Sequence, residues 1–204
     1  MWLKLTGVSK PANSSAKSPW KSTDEFSAHT PTLAQTGGTT LAAPQFPESM
    51  TVSEYIQVLR SSRADYARFW EGLTTEQMTR RPGPQEDWSI KDLIGHLCWW
   101  ESYSIARVML MRSGATLPRM DDFDALNAQV FNAWKGLSLD FVLGEWENNR
   151  VKIETYVQTL SDQEFNATDP LDGRTPFRLM GGNTVGHYLD HQADLERYVN
   201  NLRA

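Results

Sequence analysis

The chain has 204 residues, of which 20 are Lys or Arg and 25 are Asp or Glu, so its formal net charge is −5. That balance argues against a general nucleic-acid binder, which carries a basic excess. No apolar run approaches the roughly 20 residues of a membrane-spanning helix. The single cysteine, Cys98, excludes an intrachain disulfide framework and a metal site built from cysteines alone. We therefore expect a small-molecule partner, with no nucleic acid and no membrane.

The first 49 residues differ in composition from the rest of the chain. They hold five of the ten prolines, are dense in Ser, Thr, Ala and Gly, and show no helical or strand period. Such a segment cannot bury enough apolar surface to offset the entropy of ordering it. We expect residues 1–49 to be a disordered tail, or an over-extended reading frame with Met50 as the natural start. The lysine- and serine-rich beginning is weakly like an organelle transit peptide; otherwise the cytoplasm is the expected location.

After the tail, apolar residues recur at three- and four-residue steps, which is the spacing of one helix face. The first such run predicts a helix near residues 51–73. Ser89 has the character of a helix N-cap, because Asp92 follows it three residues on in capping-box spacing. The helix that begins there is expected to extend to about Arg112, where a glycine follows.

The second half of the chain predicts three further segments before the last helix. In chain order they are a short helix near 121–135, a long helix over about 139–160, and a single-turn helix at the capping-box pattern Ser161–Glu164. A Gly- and Pro-rich loop is expected from Asp169 to Gly182, after which Asn183 or Thr184 caps the last helix. No run alternates for long enough to make a strand. Residues 50–204 therefore predict an all-α domain, a four-helix bundle.

Three of the four histidines have an informative placement. His187 and His191 are four residues apart on the last helix, so their side chains lie on one face, one turn apart. His96 lies mid-way along the second long helix, and bundles build metal sites from side chains on facing helices. The alternative is ordinary core or surface histidines, and spacing alone leaves the two interpretations about equal. Gly95 and Gly186, each directly before one of these histidines, indicate either close helix packing or a ligand pocket.

Two segments resemble motifs of the DinB-like superfamily of four-helix bundles. Trp88–Leu97 (WSIKDLIGHL) looks like its second-helix motif, and Gly186–Gln192 (GHYLDHQ) looks like its last-helix H-x-x-x-H. The resemblance covers roughly residues 50–204. The superfamily includes damage-inducible DinB/YfiT proteins, mycothiol-dependent maleylpyruvate isomerases, thiol S-transferases and the ClbS/DfsB group.

In metal-binding members of that superfamily, three histidines hold a divalent ion, often nickel or zinc. The resemblance implies that the ligands in this chain are His96, His187 and His191. ClbS-like members generally lack the full triad, so its presence places this chain nearer the metal-dependent branch. The resemblance also implies a homodimer, since DinB-like bundles are frequently dimers.

Three neutral imidazoles leave an open coordination position on zinc or nickel. Such a position binds water and lowers its pKa toward about 7, or binds a low-molecular-weight thiol as thiolate. We therefore expect a metal-dependent enzyme of stress response or detoxification that acts on a small electrophilic or xenobiotic molecule, by thiol transfer or hydrolysis. One alternative is a non-catalytic bundle that sequesters a reactive small molecule. Another is a structural bundle whose histidines are incidental.

Several residues near the histidines in sequence are candidates for supporting roles. The candidate proton-transfer or orienting groups, otherwise solvated surface acids, are Asp194, Glu101 and Asp190. The candidate walls of an apolar substrate pocket, otherwise core residues, are Trp99, Trp100, Tyr103 and Tyr198. The candidates for binding a substrate carboxylate, in the loop before the last helix, are Arg174 and Arg178. Cys98 points away from His96 and is expected to be buried and structural.

Overall fold

The computed structural model describes residues 47–85, 87–116 and 120–204. In chain order its helices are α1 (Val52–Ala67), α2 (Thr75–Thr79), α3 (Ile90–Arg112), α4 (Phe123–Trp134), α5 (Leu139–Val157), α6 (Asp162–Asn166), α7 (Pro176–Gly181), a π-helical turn (Gly182–Gly186) and α8 (His187–Arg203). The long helices α1, α3, α5 and α8 form the bundle, which confirms the predicted all-α four-helix fold. None of the helices in the described ranges is long and apolar enough to cross a membrane.

The helices begin at the polar caps that the sequence indicates. The Ser89 side chain accepts a hydrogen bond from the backbone N–H of Asp92, whose carboxylate accepts one from the backbone N–H of Ser89 at 2.9 Å. Ser161 and Glu164 form the same reciprocal box before α6, and Thr51 caps α1 in the same way. These boxes give partners to N–H groups that the first helical turn leaves unpaired, so they fix where each helix starts.

α1 is shorter than its apolar pattern predicts. It ends at Ala67, and residues 68–73 form successive turns in which Phe69 and Trp70 donate to carbonyls three residues back. Gly72 has a φ of +76°, a left-handed conformation that a right-handed helix cannot contain. The aromatic residues beyond Ala67 still pack on the core. The periodic apolar pattern therefore continues past the point where the helix stops.

The region directly before the last helix is helical where a loop was predicted. α7 begins at Pro176, and the chain continues through the π-helical turn Gly182–Gly186 into α8. Asn183 and Thr184 lie inside this turn, so the prediction that one of them caps the last helix is wrong. Glycine and proline often interrupt helices, but proline is favoured in a first helical turn. Gly182 itself keeps a right-handed φ of −64°.

α3 is the central helix of the bundle. It packs against α4, α5, α7 and α8, and Leu93, Ile94 and Leu97 on it have no exposed area. Cys98 is a free, buried cysteine, as expected. A helix covered by neighbours on several sides buries more than one face, which explains its weak amphipathic pattern. The same position puts His96 in the interior of the protein.

The start of the bundle is tied to α6. The backbone of Met50 exchanges hydrogen bonds of 3.2 and 2.9 Å with the side-chain amide of Asn166. These contacts connect the chain that enters α1 with a helix more than a hundred residues later. The predictions made for the tail concern residues 1–49, of which 1–46 lie outside the described residues.

Candidate metal centre

The three histidines meet between α3 and α8. Nε2 of His96 and Nε2 of His187 lie 3.1 Å apart. The centroid of the His191 ring lies 5.3 Å from that of His96 and 4.7 Å from that of His187. One ligand atom from each residue lies within 4.8 Å of the other two. All three side chains are buried, with exposed fractions of 3%, 6% and 1% for His96, His187 and His191.

The 3.1 Å separation of the two Nε2 atoms fits the coordination shell of a divalent transition metal. Imidazole nitrogens bind zinc at about 2.0–2.1 Å, so two of them on a tetrahedral ion lie about 3.3 Å apart. Among the described residues, no carboxylate or thiol joins the histidines in this cluster. A set of three nitrogen donors suits zinc, nickel and related ions, and it leaves a coordination position for an external ligand.

Burial keeps the three imidazoles neutral. It lowers the pKa of His187 to about 3. Burial together with the neighbouring histidines lowers the pKa of His96 and of His191 well below the ordinary value of 6.5. Near neutral pH all three rings are therefore uncharged, which is the form in which imidazole binds a metal ion.

The glycines directly before His96 and His187 have different surroundings. A Cβ on Gly95 would lie 2.9 Å from Cε3 of Trp134, so a glycine before His96 lets α4 pack closely on α3. A Cβ on Gly186 would lie 3.3 Å from the carbonyl oxygen of Gly181, across the π-helical turn. Of the two interpretations left open by the sequence, close helix packing is supported at Gly95, whereas the Gly186 contact lies within one helical segment and does not bear on it.

Gln85 contacts the site, although no sequence pattern points to it. Its side-chain amide lies 2.6 Å from Nδ1 of His191, and the residue is only 8% exposed. It belongs to the irregular connection between α2 and α3, where it pairs with Trp88. Because Gln85 lies against Nδ1, a metal would have to bind His191 through Nε2. A single glutamine in a Gly- and Pro-rich turn matches no recognisable ligand pattern.

Aromatic side chains enclose the histidines. The rings of Trp88 and Trp100 lie 5.0 and 6.2 Å from the His96 ring, measured between centroids. Phe131 stacks on Trp88 at 5.4 Å, and Phe123 stacks on Trp100 at 6.0 Å. α4 thus supplies a second aromatic layer. Trp100 is among the predicted pocket residues, whereas Trp88, Phe123 and Phe131 are not. Phe123 and Phe131 lie on α4, which the sequence predicts only as a short helix.

The other aromatic pocket candidates lie further along α3 and α8. Trp99 stacks on Tyr103 at 5.2 Å, and the Tyr103 hydroxyl accepts a 2.6 Å hydrogen bond from Arg107. Tyr198 is partly buried and packs against the hydrophobic core. Trp99 and Tyr103 therefore extend the aromatic surface beyond Trp100 on α3, whereas Tyr198 is part of the core packing.

Glu101 lies in a buried ionic cluster of the core. Its carboxylate accepts hydrogen bonds from the Arg63 guanidinium and the Tyr188 hydroxyl, and one of 3.2 Å from the Asn149 amide. The Arg63 guanidinium also donates to the backbone carbonyl of Trp146 and lies 3.6 Å from the centroid of its ring. These contacts join α1, α3, α5 and α8 and engage both carboxylate oxygens.

The remaining charged candidates lie at the surface or in ion pairs. Asp190 is exposed on α8, and Asp194 forms an ion pair of 2.9 Å within the same helix. Arg174 forms an ion pair of 2.9 Å with Asp172. Arg178 is half-buried on α7, which is the helix found in place of the predicted loop. Of this group, Asp190 lies nearest in sequence to His191.

The chain belongs to the DinB superfamily, because the model of that family matches residues 58–194. No curated protein gives a significant match. The fold is similar to that of the colibactin self-resistance protein ClbS, solved in complex with double-stranded DNA, at a TM-score of 0.64 and 15% identity over 72% of this chain and 94% of ClbS.

Two further solved structures share the fold. The sibling lethal factor precursor DfsB gives a TM-score of 0.65 and 13% identity over 76% of this chain and 98% of that protein. An uncharacterised protein from Escherichia coli UTI89 gives a TM-score of 0.62 and 15% identity over 75% and 95%. At such low identity these similarities establish the fold alone.

The exclusion of nucleic acid on the basis of net charge is wrong. ClbS has the same fold and was crystallised with double-stranded DNA. Net charge is an average over the whole chain, whereas contacts to phosphates and bases depend on the local surface. A net charge of −5 therefore does not exclude a nucleic-acid partner for a chain of this fold. The homodimer and the cytoplasmic location stay predictions.

Proposed function

We propose that the protein is a divalent-metal-dependent enzyme that acts on a small electrophilic or xenobiotic molecule. The observation that carries the proposal is the buried cluster of His96, His187 and His191, whose ligand atoms lie within 4.8 Å of one another. Membership of the DinB superfamily is in keeping with it. Zinc and nickel are the ions that such a set of imidazoles favours.

A bound ion would supply Lewis acidity, which lowers the pKa of a water or thiol at its open position. The protein holds three neutral imidazoles in a fixed arrangement. In thiol transfer, the sulfur forms a bond to the electrophilic carbon, the leaving group departs with the bonding electrons, and the thiol proton passes to solvent. In hydrolysis, a water oxygen forms the bond to the electrophilic carbon instead, the leaving group again departs with the bonding electrons, and the water loses a proton. Asp190, the exposed residue next to His191 in the sequence, is the candidate that would take this proton and pass it to solvent.

The aromatic enclosure supports a substrate with an apolar, flat body. Trp88 and Trp100 flank the His96 ring, and stacking on such surfaces favours aromatic ligands. Excluding water from this enclosure would strengthen the electrostatic interactions inside it. Tyr103 and Trp99 extend the surface along α3, and Arg178 is the candidate that would meet a substrate carboxylate.

The test is turnover that depends on metal and histidine. Protein loaded with zinc or nickel is mixed with 1-chloro-2,4-dinitrobenzene and glutathione, bacillithiol or mycothiol; p-nitrophenyl acetate without thiol tests hydrolysis. We expect turnover that chelation and His187→Ala both abolish. His29→Ala is the matched control, because His29 is the one histidine outside the proposed triad. Turnover that survives both chelation and His187→Ala would overturn the proposal.

A second candidate function is sequestration of a reactive small molecule without turnover. The aromatic enclosure of His96 by Trp88 and Trp100 favours it, as does the similarity in fold to a colibactin self-resistance protein. Tight binding of the same electrophiles with no consumption of thiol would support sequestration over catalysis. Because ClbS was crystallised with DNA, fluorescence anisotropy with duplex DNA should also be measured, to test whether this protein binds DNA.

A further inference from the structure

Gln85 and His191 form a buried side-chain pair at the edge of the histidine cluster. The Gln85 amide lies 2.6 Å from Nδ1 of His191, across 106 residues of sequence. Both residues are buried, at 8% and 1% exposure. A contact this short in a buried place restricts the rotation of the imidazole and determines which ring nitrogen carries the proton.

A side-chain amide can meet an imidazole nitrogen in two orientations, with either its NH₂ group or its oxygen. If the NH₂ group donates to Nδ1, the neutral ring carries its proton on Nε2, which then has no lone pair for a metal. If Oε1 accepts from Nδ1–H, the lone pair of Nε2 is available. The structure places the NH₂ group of Gln85 toward His191, and Oε1 is then buried with no hydrogen-bond partner within the described part of the chain. Among the described residues, turning the amide so that Oε1 faces His191 would therefore break no hydrogen bond to Oε1.

The backbone that carries Gln85 is held by the aromatic enclosure itself. The carbonyl of Gln85 accepts a 2.7 Å hydrogen bond from the N–H of Trp88, the ring of which lies beside His96. A Cβ on Gly83 would lie 1.9 Å from the carbonyl oxygen of Trp88, so the turn requires glycine at this position. The connection between α2 and α3 thus delivers the amide to His191 from a fixed direction.

We propose that Gln85 is a positioning residue of the metal centre. Its Oε1 accepts a hydrogen bond from Nδ1–H of His191 and so directs the Nε2 lone pair toward His96 and His187. This inference rests on the proposed function, because it assigns a role relative to the metal ligands. Oxygen acceptors behind ligand histidines fix the tautomer and the ring orientation, and their loss weakens metal binding about 10- to 100-fold.

The test compares Gln85→Met, which keeps the side-chain length without the acceptor, with Gln85→Glu, which restores an acceptor. Gln57→Met, at an exposed position on α1, is the matched control. Zinc dissociation constants are measured by competition with a chromophoric chelator. We expect a rise of about 10- to 100-fold for Gln85→Met, near-wild-type values for Gln85→Glu, and no change for the control. Thermal melts confirm that each variant is folded.

A second measurement separates this inference from the proposed function. Long-range ¹H–¹⁵N NMR of the metal-free protein reports the tautomer of His191. We expect the proton on Nδ1 in wild type and in Gln85→Glu, and loss of that preference in Gln85→Met. A tautomer unaffected by Gln85→Met, or a dissociation constant within about twofold of wild type, would overturn the role of Gln85. The expected tautomers without any zinc binding by wild type would instead support that role and overturn the proposed function.

Discussion

Nε2 of His96 and Nε2 of His187 lie 3.1 Å apart, although 91 positions separate the two residues in the chain. His96 comes from the middle of the most central helix, and His187 follows directly on the π-helical turn. Two ring nitrogens at this separation repel each other if both rings are protonated. The pair is therefore compatible with a shared proton or a shared metal ion. The close approach of the two nitrogens is stable only while the rings are not both protonated.

The metal-free protein is expected to lose stability as the pH falls below about 6.5. The pKa of His187 is lowered to about 3 in the folded state, so the unfolded chain takes up the proton first. Between these two pKa values the free energy of unfolding falls by about 1.4 kcal/mol per pH unit for this residue. Urea unfolding between about pH 7 and pH 5 should show the decline. His187→Ala should show a shallower one, and an equal slope would contradict the buried neutral imidazole.

Gly95→Ala is expected to destabilise the protein by about 1–2 kcal/mol. The new Cβ would lie 2.9 Å from the Trp134 ring, and overpacking of about 1–3 kcal/mol exceeds the gain in helix propensity. Gly144→Ala is the matched control, because Gly144 is in α5 and a Cβ there would meet nothing within 4 Å. It should stabilise by about 0.5–1 kcal/mol. Chemical denaturation measures both, and equal effects in the two variants would be incompatible with close packing at Gly95.

Glu101→Gln is expected to cost about 3–5 kcal/mol of folding free energy, because it leaves the buried Arg63 guanidinium without a compensating charge. Glu147→Gln removes one side of an exposed ion pair with Arg150 and should cost about 0–1 kcal/mol. Guanidinium unfolding curves give both values. If Glu101→Gln abolished metal binding while leaving the unfolding midpoint in place, Glu101 would belong to the metal site and not to the core cluster.

Phe131→Ala is expected to weaken the binding of an aromatic ligand while leaving metal affinity in place. Phe131 stacks on Trp88, with ring planes 5° apart, and does not belong to the histidine cluster. Loss of about 0.5–1.5 kcal/mol of aromatic contact corresponds to a rise of about two- to tenfold in the ligand dissociation constant. Titration with 1-chloro-2,4-dinitrobenzene, followed by tryptophan fluorescence, measures it. Phe141→Ala, at a half-exposed position, should have no effect; an equal loss in both variants would count against the enclosure as a binding surface.

Local sequence signals predicted much of the fold. Ser89 with Asp92 and Ser161 with Glu164 fix helix starts through hydrogen bonds within four residues, so they can be recognised without tertiary information. The spacing of His187 and His191 likewise follows from one helical turn. Signals of this kind are confined to neighbours in the chain. The two capping boxes agree with the structure, whereas the cap predicted at Asn183 or Thr184 does not.

The features that could not be predicted depend on contacts between distant segments. Gln85 reaches His191 only because the turn before α3 folds against α8. Phe131 joins the enclosure only because α4 packs over α3, at the place that Gly95 leaves open. The α7 helix formed where local glycine and proline content indicated a loop, since burial of side chains such as Phe177 outweighs weak propensity. Tertiary packing determines all three.

Metal content of the purified protein tests the central claim most directly. Inductively coupled plasma mass spectrometry of the wild type, after loading with zinc or nickel and removal of excess, should give one ion per chain. His187→Ala and His96→Ala should each lose the ion, and His29→Ala should retain it. No bound metal in the wild type, or the same metal content in the wild type and in His187→Ala, would contradict a metal centre formed by His96, His187 and His191.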